Sequence, residues 1–372
     1  MQYTEYGRTG LSVSAVGFGG MRFDLSRPRR ENADLVRYAC ERGINYFDTA
    51  PGYCNDESED IFGAAFKKMP RPFISSTKGN PLNFDTAKKA YDAVRKSRDR
   101  LGVETIDFYH IWCLREMAHY ELAIRPGGQY EGLLRAQEEG LIRHIVCSSH
   151  QSGPEIRAVL SDGKVEGCLM GINILNFPYR EDGINAAREL GLGVVAMNPL
   201  SGGAIPMHPD AFKFLAMDGL TPVQTALRFV IAHPGITVAL VGFTTREQVD
   251  EAITIADNAK PMTARELTAI RKRLGKAMNA ICTGCGYCRA CPRDIPIPEY
   301  MQFYNRKIFF PDTVSEFPAQ IKGEKEWGIL HTGQPEACEC IACGACEKAC
   351  TQHLPIVERL KEVSAWEKKS AK

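Results

Sequence analysis

Between residue 10 and about residue 260 the chain alternates between two hydrophobic patterns. Short apolar runs rich in β-forming residues read VSAVGFG, INYFDTA, PFISSTK, IDFYHIW, IRHIVCSS, CLMGINIL, GVVAMNPL and TVALVGF. Between them lie stretches whose apolar residues recur at helical spacing, such as ENADLVRYACERG, TAKKAYDAVRKSRDRLG, GGQYEGLLRAQEEG, TPVQTALRFVIAHPG and TREQVDEAITIADN. Gly43, Gly102, Gly140 and Gly191 each follow a helical run and read as stop signals. Strands alternating with helices imply a parallel sheet with helices packed outside it. About eight such units in about 250 residues predict an α/β fold of the (β/α)8 TIM-barrel type. A doubly wound sheet is the alternative, but no G-x-G-x-x-G follows the first strand.

The pattern changes at NAKPMTARE, near residue 260. Residues 1–262 read as the barrel and 263–372 as a second domain. Thr263 is placed to cap a helix through about residue 279. Residues 298 to 337 carry proline, aromatics and charge without clear periodicity, and read as a long connection with short helical pieces.

Composition adds the decisive contrast. Five of the 14 cysteines are scattered over the first 281 residues, and nine lie between 282 and 350. The N-terminal segment lacks a basic region followed by an apolar run, so no secretory signal is read and a cytoplasmic setting is expected. Clustered cysteines then point to metal rather than disulfides. The net charge of +1 gives no reason to expect nucleic acid or a membrane surface as partner.

In a barrel of this kind the C-terminal strand ends face the active site. Asp48 ends INYFDTA, Lys78 ends FISSTK and His110 ends DFYH, while Tyr53 follows in the loop PGY. The set suits carbonyl chemistry. An ammonium lowers the pKa of a neighbouring phenol, Asp48 would hold Lys78, Tyr53 would exchange a proton with a carbonyl oxygen, and His110 would hydrogen-bond that oxygen. A positioned acid is worth about 10² to 10⁴ in rate.

FDTAPGY, STKG and DFYHIW, in this order and spacing, resemble the catalytic stretches of the aldo-keto reductases, and the resemblance covers roughly residues 1 to 260. It implies carbonyl–alcohol interconversion with a nicotinamide cofactor. PLSGG and LVGFTTREQV resemble that family's cofactor loops, which brings in Pro199, Leu200, Gly242, Thr244, Gln248 and Glu251. The family's Ser-Asn pair at the nicotinamide amide reads Ser148-Ser149, its Gln partner is matched by Asn173, and its stacking aromatic falls at Met197. Gly242 and Gln248 stand where Lys and Arg often meet a 2′-phosphate, and the loss of both cations should cost selectivity for NADP. NAD(H), NADP(H) and flavin all stay open.

The cysteine runs are Cys282, Cys285, Cys288, Cys291 followed by Pro292, and Cys340, Cys343, Cys346, Cys350. The second has the spacing of a bacterial two-cluster ferredoxin, with Thr351 in place of proline; the first keeps the proline but is one residue short. Both runs end in Cys, three residues, then Ile or Leu, Pro, Ile. In ferredoxins of that kind the fourth cysteine of one run reaches the other cluster. The resemblance therefore assigns Cys282, Cys285, Cys288 and Cys350 to one [4Fe-4S] cluster, and Cys340, Cys343, Cys346 and Cys291 to the other. Zinc is the alternative, and Cys338 is surplus.

Barrel and clusters together resemble a family of iron–sulfur oxidoreductases of bacteria and archaea. The expectation is a redox enzyme acting on a small carbonyl or alcohol, its clusters exchanging single electrons with ferredoxin or another carrier. Two other readings stay open: an ordinary reductase with structural clusters, and a non-enzymatic electron-transfer or redox-sensing protein.

Overall fold

The computed structural model describes residues 1–277, 282, 287–309, 311–327, 330, 335–350 and 354–370. The chain divides into two compact units, Met1–Ile174 with Arg180–Met262, and Thr263–Lys372 with Leu175–Tyr179. The short segment Leu175–Tyr179 thus counts with the second unit, whose Arg289 donates to the Tyr179 hydroxyl at 2.9 Å.

A two-stranded antiparallel hairpin, β1 (Tyr3–Glu5) and β2 (Ser12–Ser14), precedes the barrel. The eight barrel strands are β3 (Val16–Gly19), β4 (Tyr46–Asp48), β5 (Ile74–Gly79), β6 (Ile106–Leu114), β7 (Ile142–Ser149), β8 (Gly167–Gly171), β9 (Gly193–Met197) and β10 (Val238–Val241). All pair in parallel, and β10 closes on β3. Tyr6, in the hairpin turn, is fully buried with Tyr46, Phe108, Val146, Leu169, Val195 and Val238. Gly167 and Gly193 begin their strands where a Cβ would fall 2.4 Å from Tyr6 atoms, so only glycine leaves the ring its place.

In the second unit Thr263 and Glu266 form a reciprocal capping box for the helix Ala264–Ala277. The expected long connection is in fact helical: Ile297–Phe309, a 3-10 stretch Pro311–Glu316, and Phe317–Glu326. Pro298 and Pro318 hid these helices from a reading of periodicity, yet each falls in a first turn, where a missing N–H costs nothing. Tyr300, Met301, Phe303, Phe317 and Ile321 pack with Leu360, Val363 and Trp366 of the last helix, Ile356–Ser370. Among the described residues no helix is long and apolar enough to cross a membrane.

Candidate functional site

Parallel register gathers the polar residues of the mouth. Asp48 is the last residue of β4 and lies beside Ser76, while Lys78 of β5 lies beside His110 of β6. Lys78 is 1% exposed; its ammonium donates to Asp48 and, at 2.7 Å, to the Thr49 carbonyl. Burial pushes the Lys78 pKa down, and the Asp48 carboxylate opposes that shift. A buried ion pair needs such additional hydrogen bonds to survive desolvation.

Tyr53 follows Asp48 through a tight turn with left-handed backbone at Gly52, Cys54 and Asn55. Its ring meets Trp112 edge-on at 5.6 Å between centroids, and the Lys78 Nζ lies 5.3 Å from the ring centre. Burial first, and the Asp48 charge second, raise the Tyr53 pKa. This is opposite to the expected lowering, because burial dominates and favours the neutral phenol.

His110 is not at a strand end. β6 runs on to Leu114, with a register shift after Ile111 and a left-handed backbone at Cys113. The imidazole is fully buried, and both ring nitrogens have partners inside the barrel. Nδ1 lies 3.0 Å from the Cys147 carbonyl, to which it donates, and Nε2 lies 2.9 Å from Ser76 Oγ. Ser76 Oγ also lies 2.7 Å from Asp48 Oδ2, so Nε2 and that carboxylate are both acceptors for its single proton. Burial lowers the His110 pKa to about 4, so the ring is neutral near pH 7. Ser76 was missed in the sequence because a serine within a strand carries no signal of its own; its place two residues before Lys78, hence on the same face, was the available clue.

At the cofactor positions, Ser148 and Ser149 end β7, buried. Ser148 Oγ has no hydrogen-bond partner among the described residues, whereas Ser149 Oγ donates to Gln151 Oε1 at 2.9 Å. Asn173 lies just beyond β8 and donates to the Asn198 carbonyl at 3.2 Å. Pro199 and Leu200 lead into a turn with left-handed backbone at Ser201, Gly202 and Gly203. Gln248 is committed to the cap of the helix Arg246–Asn258, its Oε1 accepting from the Thr244 N–H at 2.8 Å and hydroxyl at 3.1 Å. Glu251 accepts from Gln224 at 2.9 Å.

Two cations absent from the sequence reading stand at these same loops. Arg22 donates to the Gly202 carbonyl at 2.8 Å and lies over Gly242, where a Cβ would fall 2.7 Å from its side chain. Arg27 donates to the Thr244 carbonyl at 3.1 Å. Their clue was the basic run after the first barrel strand, RFDLSRPRR.

In the second unit Cys291, Cys340, Cys343 and Cys346 line one pocket, although some fifty residues separate the first from the rest. Left-handed backbone at Ala342 and Gly344 bends the 340–346 segment, and the Ala342 N–H points at Cys340 Sγ at 3.4 Å. Cys282 is held by Asn305, whose side chain binds its backbone N–H and carbonyl, each at 2.8 Å. The Leu354 N–H lies 3.5 Å from Cys350 Sγ. Such N–H···S contacts suit thiolates bound to iron. Burial pushes the Cys346 thiol up to about 11, so binding metal there releases a proton. Cys285 lies outside the described residues, and Cys338 is exposed. Among the described residues no three His, Cys, Asp or Glu side chains are grouped as a single metal ion requires.

The sequence profile of the aldo/keto reductase family matches residues 15–274, and that of a 4Fe-4S dicluster domain matches residues 281–355. The chain belongs to the aldo/keto reductase family and is an oxidoreductase with a C-terminal 4Fe-4S dicluster domain. An uncharacterized oxidoreductase of Bacillus subtilis, YqkF, is 26% identical over 305 residues, covering 73% of this chain and 96% of its own. A probable aldo-keto reductase of Glycine max is 25% identical over 297 residues, covering 68% and 84%. The holo form of an aldo-keto reductase from Bacillus halodurans superimposes with a TM-score of 0.63 at 23% identity, covering 73% of this chain and 96% of that one. An aldo-keto reductase from Klebsiella pneumoniae, solved with NADPH, gives 0.60 at 20% identity, covering 73% and 94%.

Proposed function

We propose that the barrel interconverts a small carbonyl compound and its alcohol with a nicotinamide dinucleotide, and that the second unit relays single electrons through two [4Fe-4S] clusters to or from a carrier such as ferredoxin. The observation that carries the reading is the Tyr53 ring at the mouth, 5.3 Å from the Nζ of Lys78, which is itself paired with buried Asp48. The dinucleotide supplies the hydride that reaches the carbonyl carbon. Tyr53 gives its proton to the carbonyl oxygen and takes one back in the reverse direction. Lys78 limits the charge left on that oxygen, Asp48 fixes Lys78, and Ser76, between His110 and Asp48, has one proton to offer either of them. The buried, unpartnered Ser148 hydroxyl suits an amide of the cofactor. Arg22 and Arg27 restore cations to the loops that lost them, which favours a cofactor bearing an extra phosphate. The clusters supply one-electron chemistry, held by Cys282, Cys285, Cys288 and Cys350 and by Cys340, Cys343, Cys346 and Cys291.

The test is anaerobic purification followed by steady-state oxidation of NADPH and NADH against a panel of aldehydes. Turnover with NADPH is expected, and Arg22→Ala with Arg27→Ala should raise its KM about tenfold more than that of NADH. Bleaching of the clusters by NADPH supports the relay. A yellow acid extract with no NAD(P)H turnover replaces the dinucleotide by flavin and overturns the hydride assignment.

A further inference from the structure

The two cysteine sites differ in the charge built around them. Arg359, on the last helix, is 5% exposed, and its Nη1 is buried with no hydrogen-bond partner among the described residues. Its guanidinium lies over the Tyr304 ring, 4.8 Å from the centroid. Asn305, next to Tyr304 on the same helix, holds the Cys282 backbone N–H and carbonyl, each at 2.8 Å. Burial disfavours the Arg359 charge, and Tyr304, Cys282, Cys350 and Glu362 oppose that effect. A buried cation with an unused N–H is costly unless something anionic completes it. Glu362, three residues beyond Arg359 on the last helix, is engaged by Lys307 and by the Tyr304 hydroxyl at 2.9 Å. The buried Nη1, unsatisfied among the described residues, suits the charge of a thiolate-ligated cluster.

The pocket of Cys291, Cys340, Cys343 and Cys346 has the opposite setting. Its cation, Arg293, is half-exposed and lies 3.5 Å from Glu339, and the Glu347 carboxylate acts on Cys346. Net charge and hydrogen bonds to sulfur are among the factors that set a cluster's potential.

We propose that Arg359 is the electron-holding cation of the cluster bound by Cys282 and Cys350, placed to donate a hydrogen bond to a cluster sulfur and making this cluster the more easily reduced of the two. The inference rests on the reading of two [4Fe-4S] clusters given above. Its step is the uptake of one electron by an oxidised cluster from a one-electron carrier. The guanidinium stays protonated throughout and offsets the added negative charge. The first electron to enter the unit then settles beside Arg359.

Redox titration of the full chain with dithionite and mediators, followed by electron paramagnetic resonance, tests this directly. The signal belonging to the Cys282 and Cys350 site is identified by its change in Cys350→Ser. In Arg359→Met, which keeps volume and removes charge, reduction of that cluster should become at least about tenfold less favourable, a fall of about 59 mV for one electron. The other cluster should keep its potential. Arg359→Lys should restore most of the shift, and it serves as the deciding variant if the methionine protein does not assemble: a potential as far below wild type as loss of charge would give overturns the proposal. Equal movement of both clusters, or movement of neither, overturns it while leaving the two-cluster reading intact. A wild-type protein that binds iron at only one site, or at none, overturns both.

Discussion

The barrel mouth and the cysteine-rich unit concentrate chemistry by opposite means. At the mouth, Asp48, Ser76, Lys78 and His110 come from three neighbouring strands, and parallel register sets their heights. The ladder does the positioning, and each side chain is buried before any ligand arrives. In the second unit, bent loops deliver the thiols, and the helices supply an apolar core around Phe303, Phe317 and Trp366 that also takes in Cys288, Cys346 and Cys350. The metal sites are therefore built into the edge of that core, with Cys282, Cys291 and Cys340 packed against it.

Three results would sharpen or break that contrast. The largest effect is expected at the mouth. Tyr53→Phe removes the proton donor and should lower kcat/KM for carbonyl reduction by about 10² or more, with the cluster spectrum unchanged. Retained turnover would remove Tyr53 from its role.

The second effect is confined to the other unit. Cys291→Ser should cost about half of the bound iron, while circular dichroism keeps its helical signal because the apolar core persists. Cys338→Ser, at an exposed thiol outside the pocket, should leave the iron content alone. Collapse of the helical signal on loss of iron would mean that metal, not packing, holds this unit.

The smallest effect is on stability in acid. His110, His150 and His233 all have pKa values lowered to about 4, burial being the largest cause for each. An unfolded histidine titrates near 6.5, so the folded barrel binds fewer protons than the unfolded chain between the two values. The associated stability is complete above about pH 6.5 and is lost as pH falls through about 4. The barrel's Tm should fall over this window, and His110→Asn should flatten part of the slope.

The sequence exposed these two regions unevenly, for physical reasons. Eight alternations of period reveal a barrel because each strand and each helix leaves its own signature. The order Asp48, Tyr53, Lys78, His110 points to the mouth because successive parallel strands bring their residues together, although His110 lies inside its strand, Ile106–Leu114. The partners of those residues were harder to see: Ser76 is ordinary in a buried strand, and Arg22 and Arg27 act through a loop whose path only the fold reveals. In the second unit the situation inverts. Cysteine spacing announces the metal, whereas the helices between the runs are hidden by prolines in their first turns. Arg359 looks like any surface cation in ERLKEV until burial is known.

One carboxylate late in the chain carries a consequence for synthesis. Glu367, 4% exposed, accepts from the Tyr300 hydroxyl at 2.6 Å, from Lys325 at 2.8 Å and from the Ala337 amide at 3.1 Å. The ribosome delivers the residues that need this carboxylate well before the carboxylate itself. The helix Ile356–Ser370 is a latch: the contacts of Tyr300, Lys325 and Ala337 with this carboxylate form only once it has been made and has docked.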